Sequence, residues 1–193
     1  MRTKDENKLM AIFDATVRLT ATVGIAGLKM SLIAKEAEIA AGTIYLYYKN
    51  KKDLLNAVYK NLKSEGIFSV MGKIEHLPIQ VQLFRLWEVA FEYHVANNNK
   101  AVFIEQFELS PLISLENKTL EEDSMSYLHK TLEEAKKKGI VKPIDNDIII
   151  ALILGFMKHL AARATKEVID ANEEVKHLCY AMCWNAIREN DNE

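Results

Sequence analysis

Apolar residues recur along most of the chain at intervals of three and four, the spacing that puts them on one face of a helix. The pattern predicts a first helix over residues 5–23, with Leu9, Ile12, Phe13, Thr16, Val17, Leu19 and Thr20 in phase and Gly24 as its stop. Two short pieces follow. Met30, Ile33, Ala34 and Ala37 mark one, Ile44 and Tyr48 the other, and only Glu38-Ile39-Ala40 separates them. A connection that short joins two helices steeply, as in a helix-turn-helix, and a third helix is needed to give the pair a core. A fourth helix is predicted over 52–71, carrying Leu55, Val58, Tyr59 and Leu62, with 72–78 as the candidate domain boundary. Beyond it, a broad helix over 79–95 has Phe84, Trp87, Phe91 and Val95 as its stripe. Leu83, Leu86 and Ala90 widen the stripe, and Gln82, Arg85, Glu88 and Glu92 form the polar side. Further helices are expected over 100–109, 119–138, 146–165 and 172–189. Strand-like alternation of useful length is lacking, as are internal repeats, so the pattern predicts an all-α protein.

The second short helix of the pair has side chains suited to a nucleic-acid groove, since a helix fits the major groove of DNA. Ala41 and Gly42 are small enough for close backbone approach, Thr43 offers a hydroxyl, and Tyr45 and Tyr47 end in hydroxyls that can reach phosphates. Tyr48 shares a face with Ile44 and is expected in the core, while Tyr45 is balanced between packing and contact. Asn50 and Asp53 form a cap-like pair opening the next helix, and lysines beside a helix start favour anions.

The order Ile33-Ala34, Gly42-Thr43-Ile44-Tyr45, Tyr47-Tyr48, Lys51, Leu54 resembles the DNA-binding domain of TetR-family transcriptional regulators, over about residues 5 to 60. The resemblance implies an N-terminal three-helix DNA-binding domain over 1–50, a connecting helix over 51–71, and a larger helical ligand-binding and dimerisation domain over 72–193. Carried over by position, Thr43, Tyr47 and Lys51 would contact phosphates, and Ala41, Gly42 and Leu46 would face base edges. Ser31 and Tyr45 complete the candidate DNA-binding set. Three places depart from the family pattern. Glu38 stands where the turn usually has glycine, so it must take that geometry or the turn differs. Ala40 replaces a common Ser or Thr N-cap, a loss of about 1 kcal/mol if uncompensated. Lys29 and Leu32 replace frequent hydroxyl and acidic residues. The resemblance further implies a homodimer in which the last two long helices pair with their copies, a double-stranded DNA operator, and a small-molecule effector.

Charge sharpens this division. Residues 1–63 hold 11 Lys and Arg against 6 Asp and Glu; residues 64–193 hold 14 against 21. A basic first third beside an acidic remainder fits a nucleic-acid module joined to a part that stays off DNA. In the acidic part Phe84, Trp87, Phe91, His94, Phe103, Phe107, Tyr127 and Phe156 supply the aromatic surface for an apolar ligand cavity, with ordinary core packing as the alternative for each. Cys179 and Cys183, four apart, read as core thiols, and the lone Glu174-x-x-His177 does not complete a metal set, so neither metal nor cofactor is expected. The polar first residues and the short apolar run 148–157, against about 20 residues for a bilayer span, predict a cytoplasmic protein with no membrane partner. The expected function is a DNA-binding regulator, a repressor released from a palindromic operator by a small apolar ligand. The alternatives are an all-helical enzyme with dispersed site residues and a DNA-binding structural protein that senses nothing.

Overall fold

The computed structural model describes residues 4–64 and 71–189. Its helices are α1 (Lys4–Gly27), α2 (Met30–Glu36), α3 (Ala41–Tyr47), α4 (Lys51–Lys63), α5 (Met71–Ile74), α6 (Ile79–Ala96), α7 (Asn98–Glu108), α8 (Leu115–Lys137), α9 (Asn146–Ala164) and α10 (Glu173–Ile187). Among the described residues there is no strand, only an isolated antiparallel bridge between Val141 and Arg188. Residues 65–70, the end of the predicted fourth helix, lie outside the described residues.

The chain forms two compact units, and neither is continuous in sequence. The first joins Met1–Ser64 to Asn99–Leu120; the second joins Glu65–Asn98 to Glu121–Glu193. Packing divides the chain elsewhere than the expected boundaries. Residues 99–120 belong with the helix-turn-helix, and α4 is a core element of that unit rather than a separate connector. The reason is burial. Leu54, Leu55, Val58 and Tyr59 on α4 are fully buried in one cluster with Ile12, Ile33 and Ile44, and Phe103 and Phe107 of α7 complete it. Phe107 stacks on Phe103 at 5.6 Å and meets Tyr59 at 5.5 Å.

Within this unit α1 is the central strut. Its stretch Asp5–Gly27 is long and apolar enough, by length and composition, to cross a membrane. Its buried residues Ile12, Ala15 and Val17 instead belong to the unit's core, where α1 packs on α2 and α4. Thr16 and Thr20 are buried without penalty because each hydroxyl donates to a carbonyl one turn back, at 2.7 and 2.8 Å. At Gly24 the helix breaks, with φ at 68°, and the next amide, Ile25 N, donates to Gln106 Oε1 on α7.

The turn of the helix pair takes a glycine-like backbone despite its residue. Glu38 takes φ of 55°, and Ile39 N donates back to Ala34 O at 3.0 Å, closing α2. A side chain in this left-handed region costs about 1 kcal/mol, which glycine would avoid. Ala40 caps α3 with no side-chain hydrogen bond, as its methyl dictates. By contrast, Asn50 caps α4 by accepting from Asp53 N at 2.9 Å, and its amide donates to the Asp53 carboxylate.

In the second unit α6 and α9 pack along each other, and α10 lies against both. Trp87 and Phe91 stack at 5.3 Å and pack with Met157, Leu160 and Ala161. Leu83 joins Leu132, Ala135, Ile149 and Ile187. Gln82 is not on the polar side of α6: it is buried, and its amide donates to the carbonyls of Glu75 and Leu77 at 3.1 and 2.8 Å, fastening the α5–α6 turn. The buried Lys176 ammonium on α10 pairs with Glu92 on α6 at 2.9 Å and with Glu173 on its own helix. Burial raises both cysteine thiols, Cys183 to about 11, which leaves them protonated and unreactive at neutral pH.

Candidate nucleic-acid interface

Ile44 is the only fully buried residue of α3 and seats it in the core. Because α3 is about two turns anchored at its middle, the remaining positions face outward or stay half-buried. Ala41, Gly42, Tyr45 and Leu46 are exposed, and Thr43 and Tyr47 are half-buried. Leu46 is 81% exposed, an apolar side chain that does nothing for the unit's own packing. Gly42 has no internal reason to be glycine, since a Cβ there would meet nothing within 4 Å. Both choices suit a surface that another molecule covers. Tyr45 is exposed, and Tyr48 packs against the core beside Phe13 at 6.3 Å. Ser31 is exposed in the first turn of α2.

Two of the proposed phosphate contacts already have partners. Without DNA, the Lys51 ammonium donates to the carbonyls of Leu28, Ile25 and Ala26 at 3.0, 3.3 and 3.5 Å. An ammonium has three protons, so these carbonyls use its donor capacity. They lie just past the Gly24 break, where a helix end leaves carbonyls unpaired and a cation is favoured. Lys51 therefore ties the start of α4 to the end of α1. Lys51→Ala is expected to lower stability by about 1–2 kcal/mol, the range for charge-assisted bonds at a half-buried site. Calorimetric or circular-dichroism melts would show it, and the salt dependence of DNA binding should stay unchanged. A reduced salt slope with an unchanged melt would restore the phosphate role. Tyr47 Oη donates to Asp5 Oδ1 at 3.0 Å, and this bond, with the carboxylate's charge, raises the phenol's pKa.

Behind the reading surface a polar lattice pins α4 to the α7–α8 segment. Asn56 donates to Leu112 O at 2.9 Å and accepts from Ser114 N at 2.7 Å, while the buried Asn117 donates to the Asn56 side chain at 2.8 Å. Lys63 pairs with Glu108 at 3.0 Å, and Tyr59 Oη donates to the same carboxylate oxygen. None of these partners lies within 40 residues of the other in sequence, so periodicity had no means of revealing them.

The predicted ligand residues divide between the units. Phe103 and Phe107 take the core-packing alternative: they are fully buried in the core of the first unit, because α7 packs there. Trp87 and Phe91 are sealed in a stack, and Phe156 packs beside them. His94 Nδ1 lies 2.7 Å from Ala90 O, a bond within its own helix. Tyr127 Oη donates to Gln82 Oε1 at 3.2 Å, and burial raises its pKa. Phe84 stacks on His177 at 5.2 Å and meets Tyr180 edge-on at 4.8 Å. A cavity of about 30 Å³ does occur in this unit, and none of these residues lines it. Its walls are Leu83, Leu86, Leu128, Leu132, Ile149, Ile150, Ile153, Leu154 and Tyr180. Aliphatic residues of α6, α8 and α9 make most of this wall, with Tyr180 of α10 as its aromatic member.

Comparison with known proteins agrees with this architecture. The family described as bacterial regulatory proteins, tetR family, matches residues 12–58, and the tetracyclin repressor-like C-terminal domain matches 78–188. An uncharacterized HTH-type transcriptional regulator of Haemophilus influenzae is 28% identical over 179 residues, covering 92% of this chain and 94% of its own. The fatty acid metabolism regulator protein of Bacillus subtilis is 49% identical over 60 residues, 31% of each chain. The crystal structure of a TetR family transcription regulator from Marinobacter aquaeolei VT8 superposes with a TM-score of 0.85 at 24% identity, covering 98% of this chain and 100% of that one. The relatives are regulators, which removes the all-helical enzyme from consideration. The chain belongs to the TetR family of DNA-binding transcriptional regulators.

Proposed function

We propose that the protein is a cytoplasmic homodimeric repressor that grips a near-palindromic operator with two copies of α3 and leaves it when a small aliphatic ligand enters the second unit. The observation that carries the DNA reading is the outward face of α3, with Ala41, Gly42, Tyr45 and Leu46 uncovered while Ile44 anchors the helix. Leu46 suits the thymine methyl in the major groove, and the small pair lets the backbone approach the bases. Thr43 and Tyr47 then serve phosphates, which fix register without carrying sequence information. Two such heads about a two-fold axis require half-sites one helical turn, or a multiple, apart. Selection of bound sites from a random DNA pool tests this: a dyad-symmetric consensus is expected, and an asymmetric or single half-site consensus would refute it.

The dimer reading rests on α9 and α10. Ile148, Ala151, Leu152 and Gly155 form an exposed stripe on α9, and Leu178, Ala181 and Met182 one on α10. Gly155 lowers helix stability by about 1 kcal/mol relative to alanine. Nothing in its own chain lies within 4 Å of a Cβ there, so a close second helix is the reason that supports it.

The ligand reading rests on the aliphatic cavity. Its volume is far below the roughly 300–1,000 Å³ of a drug-sized site, so a ligand must widen it. Ligand acts by binding the widened form better than the closed one. The chain passes between the two units after Ser64, at Asn98 and within α8 at Leu120. The last two crossings flank the segment that Asn56, Tyr59 and Lys63 fasten to α4. Displacing either crossing would move the reading head, and a coupling of about 1–3 kcal/mol would change operator affinity 5–150-fold. The 49% match to the fatty acid metabolism regulator covers only the reading head, so it supports the DNA reading and not the ligand. Trp87 contacts Tyr180 on the cavity wall at 5.7 Å. A ligand from an aliphatic library should therefore shift Trp87 fluorescence and release the selected operator together; fluorescence change without release would favour a regulator that senses nothing through this site.

A further inference from the structure

Asp5 lies in the first turn of α1, where a carboxylate faces the positive end of the helix. Its Oδ1 accepts the Tyr47 hydroxyl at 3.0 Å, across 42 residues of sequence, and Lys8 Nζ is 3.9 Å from the same oxygen. A tyrosine hydroxyl has one proton to donate. An ionised carboxylate and a phosphate oxygen are both acceptors only, so they compete for that proton. While Tyr47 donates to Asp5 it presents lone pairs to a phosphate, and the carboxylate stays beside it as a like charge. Lys8 offsets that charge at long range and gives nothing to the hydroxyl.

We infer that Asp5 sets the protein's affinity for DNA by holding the Tyr47 proton away from the phosphate backbone. The residue is an intrinsic brake, independent of base sequence and repeated on each reading head. The inference rests on Tyr47 as a phosphate contact, and the test separates the two. A random-sequence duplex of about 30 base pairs serves as the probe, since phosphate contacts are sequence-independent. Binding is measured by fluorescence anisotropy for the wild type, Asp5→Asn, Tyr47→Phe and the double variant. Asparagine can turn its amide toward the phenol oxygen and leave the proton for phosphate. Asp5→Ala removes the acceptor altogether and guards against a retained pair. Both Asp5 variants should bind roughly 2–5-fold more tightly, the size of an exposed charge interaction. The gain should vanish when Tyr47 is phenylalanine. Equal tightening in the Tyr47→Phe background would reduce Asp5 to a general surface charge and overturn the inference. So would unchanged or weaker binding of both Asp5 variants. If Tyr47→Phe leaves binding intact both in the wild type and in the Asp5→Asn background, the phosphate role of Tyr47 falls, and the inference falls with it for that separate reason.

Discussion

Leu152→Arg is expected to turn the protein into a folded monomer and to weaken operator binding by two to four orders of magnitude. Leu152 is exposed in the single chain, in the middle of the α9 stripe formed by Ile148, Ala151 and Gly155. Within one chain the substitution therefore disturbs little, and helix content and melting should remain close to wild type. In a dimer that pairs α9 with its copy, the same position would lie near the symmetry axis and each arginine would meet the other. A buried unpaired charge at such a face costs several kcal/mol. Loss of the second head removes the intramolecular second binding step, whose avidity is worth about 10²–10⁴-fold. Sedimentation at micromolar concentration and titration of the selected operator measure both effects. A Leu152→Arg protein that still sediments as a dimer would show that α9 is not the interface.

Phe107→Ala is expected to abolish DNA binding from a position about 60 residues beyond the reading helix. Its ring is fully buried between Phe103 and Tyr59. Emptying such a site typically removes about 3–5 kcal/mol, which is a large part of a domain's stability. The loss should be confined to the first unit. Both tryptophans, Trp87 and Trp184, sit in the second, so their fluorescence reports that unit alone. Hydrogen exchange in α1, α2 and α4 should rise sharply while the tryptophan emission stays native. Had Phe107 lined a ligand cavity, the substitution would change ligand response and leave exchange in α1 protected.

The helical character and the reading motif were legible in the sequence because both are local. Ile44 and Tyr48 inward, Gly42 and Leu46 outward, and Asn50 as a cap all follow from spacing within a dozen residues. Glu38 could be recognised as a residue that either takes a glycine-like turn or changes the turn, and it takes the glycine-like φ. What failed was assignment of residues to a shared core. Phe103 and Phe107 carry the same apolar signal as Trp87 and Phe91, and hydrophobicity does not say which of two cores a helix joins. Lys51 illustrates the other gap. A lysine beside a helix start reads as an anion contact, yet the nearest unpaired groups proved to be carbonyls of its own chain. Tyr47 with Asp5 and Ile25 with Gln106 are pairs separated by 42 and 81 residues, which only the folded chain brings together.

The interleaving of the two units has a consequence for biosynthesis. Although the proposed DNA-reading residues all lie within the first 47, their core stays open until Phe103, Phe107 and Ile113 have been made. At roughly 5–20 residues per second that is a delay of several seconds. During it α4 presents Leu54, Leu55, Val58 and Tyr59 without their final cover. The nascent chain must also thread α5 and α6 out and α7 back before the first unit can close, a non-local step that slows folding. A newly made copy therefore becomes competent to read DNA only after α6 of the second unit already exists, so a prematurely terminated chain ending before α7 would not compete for an operator.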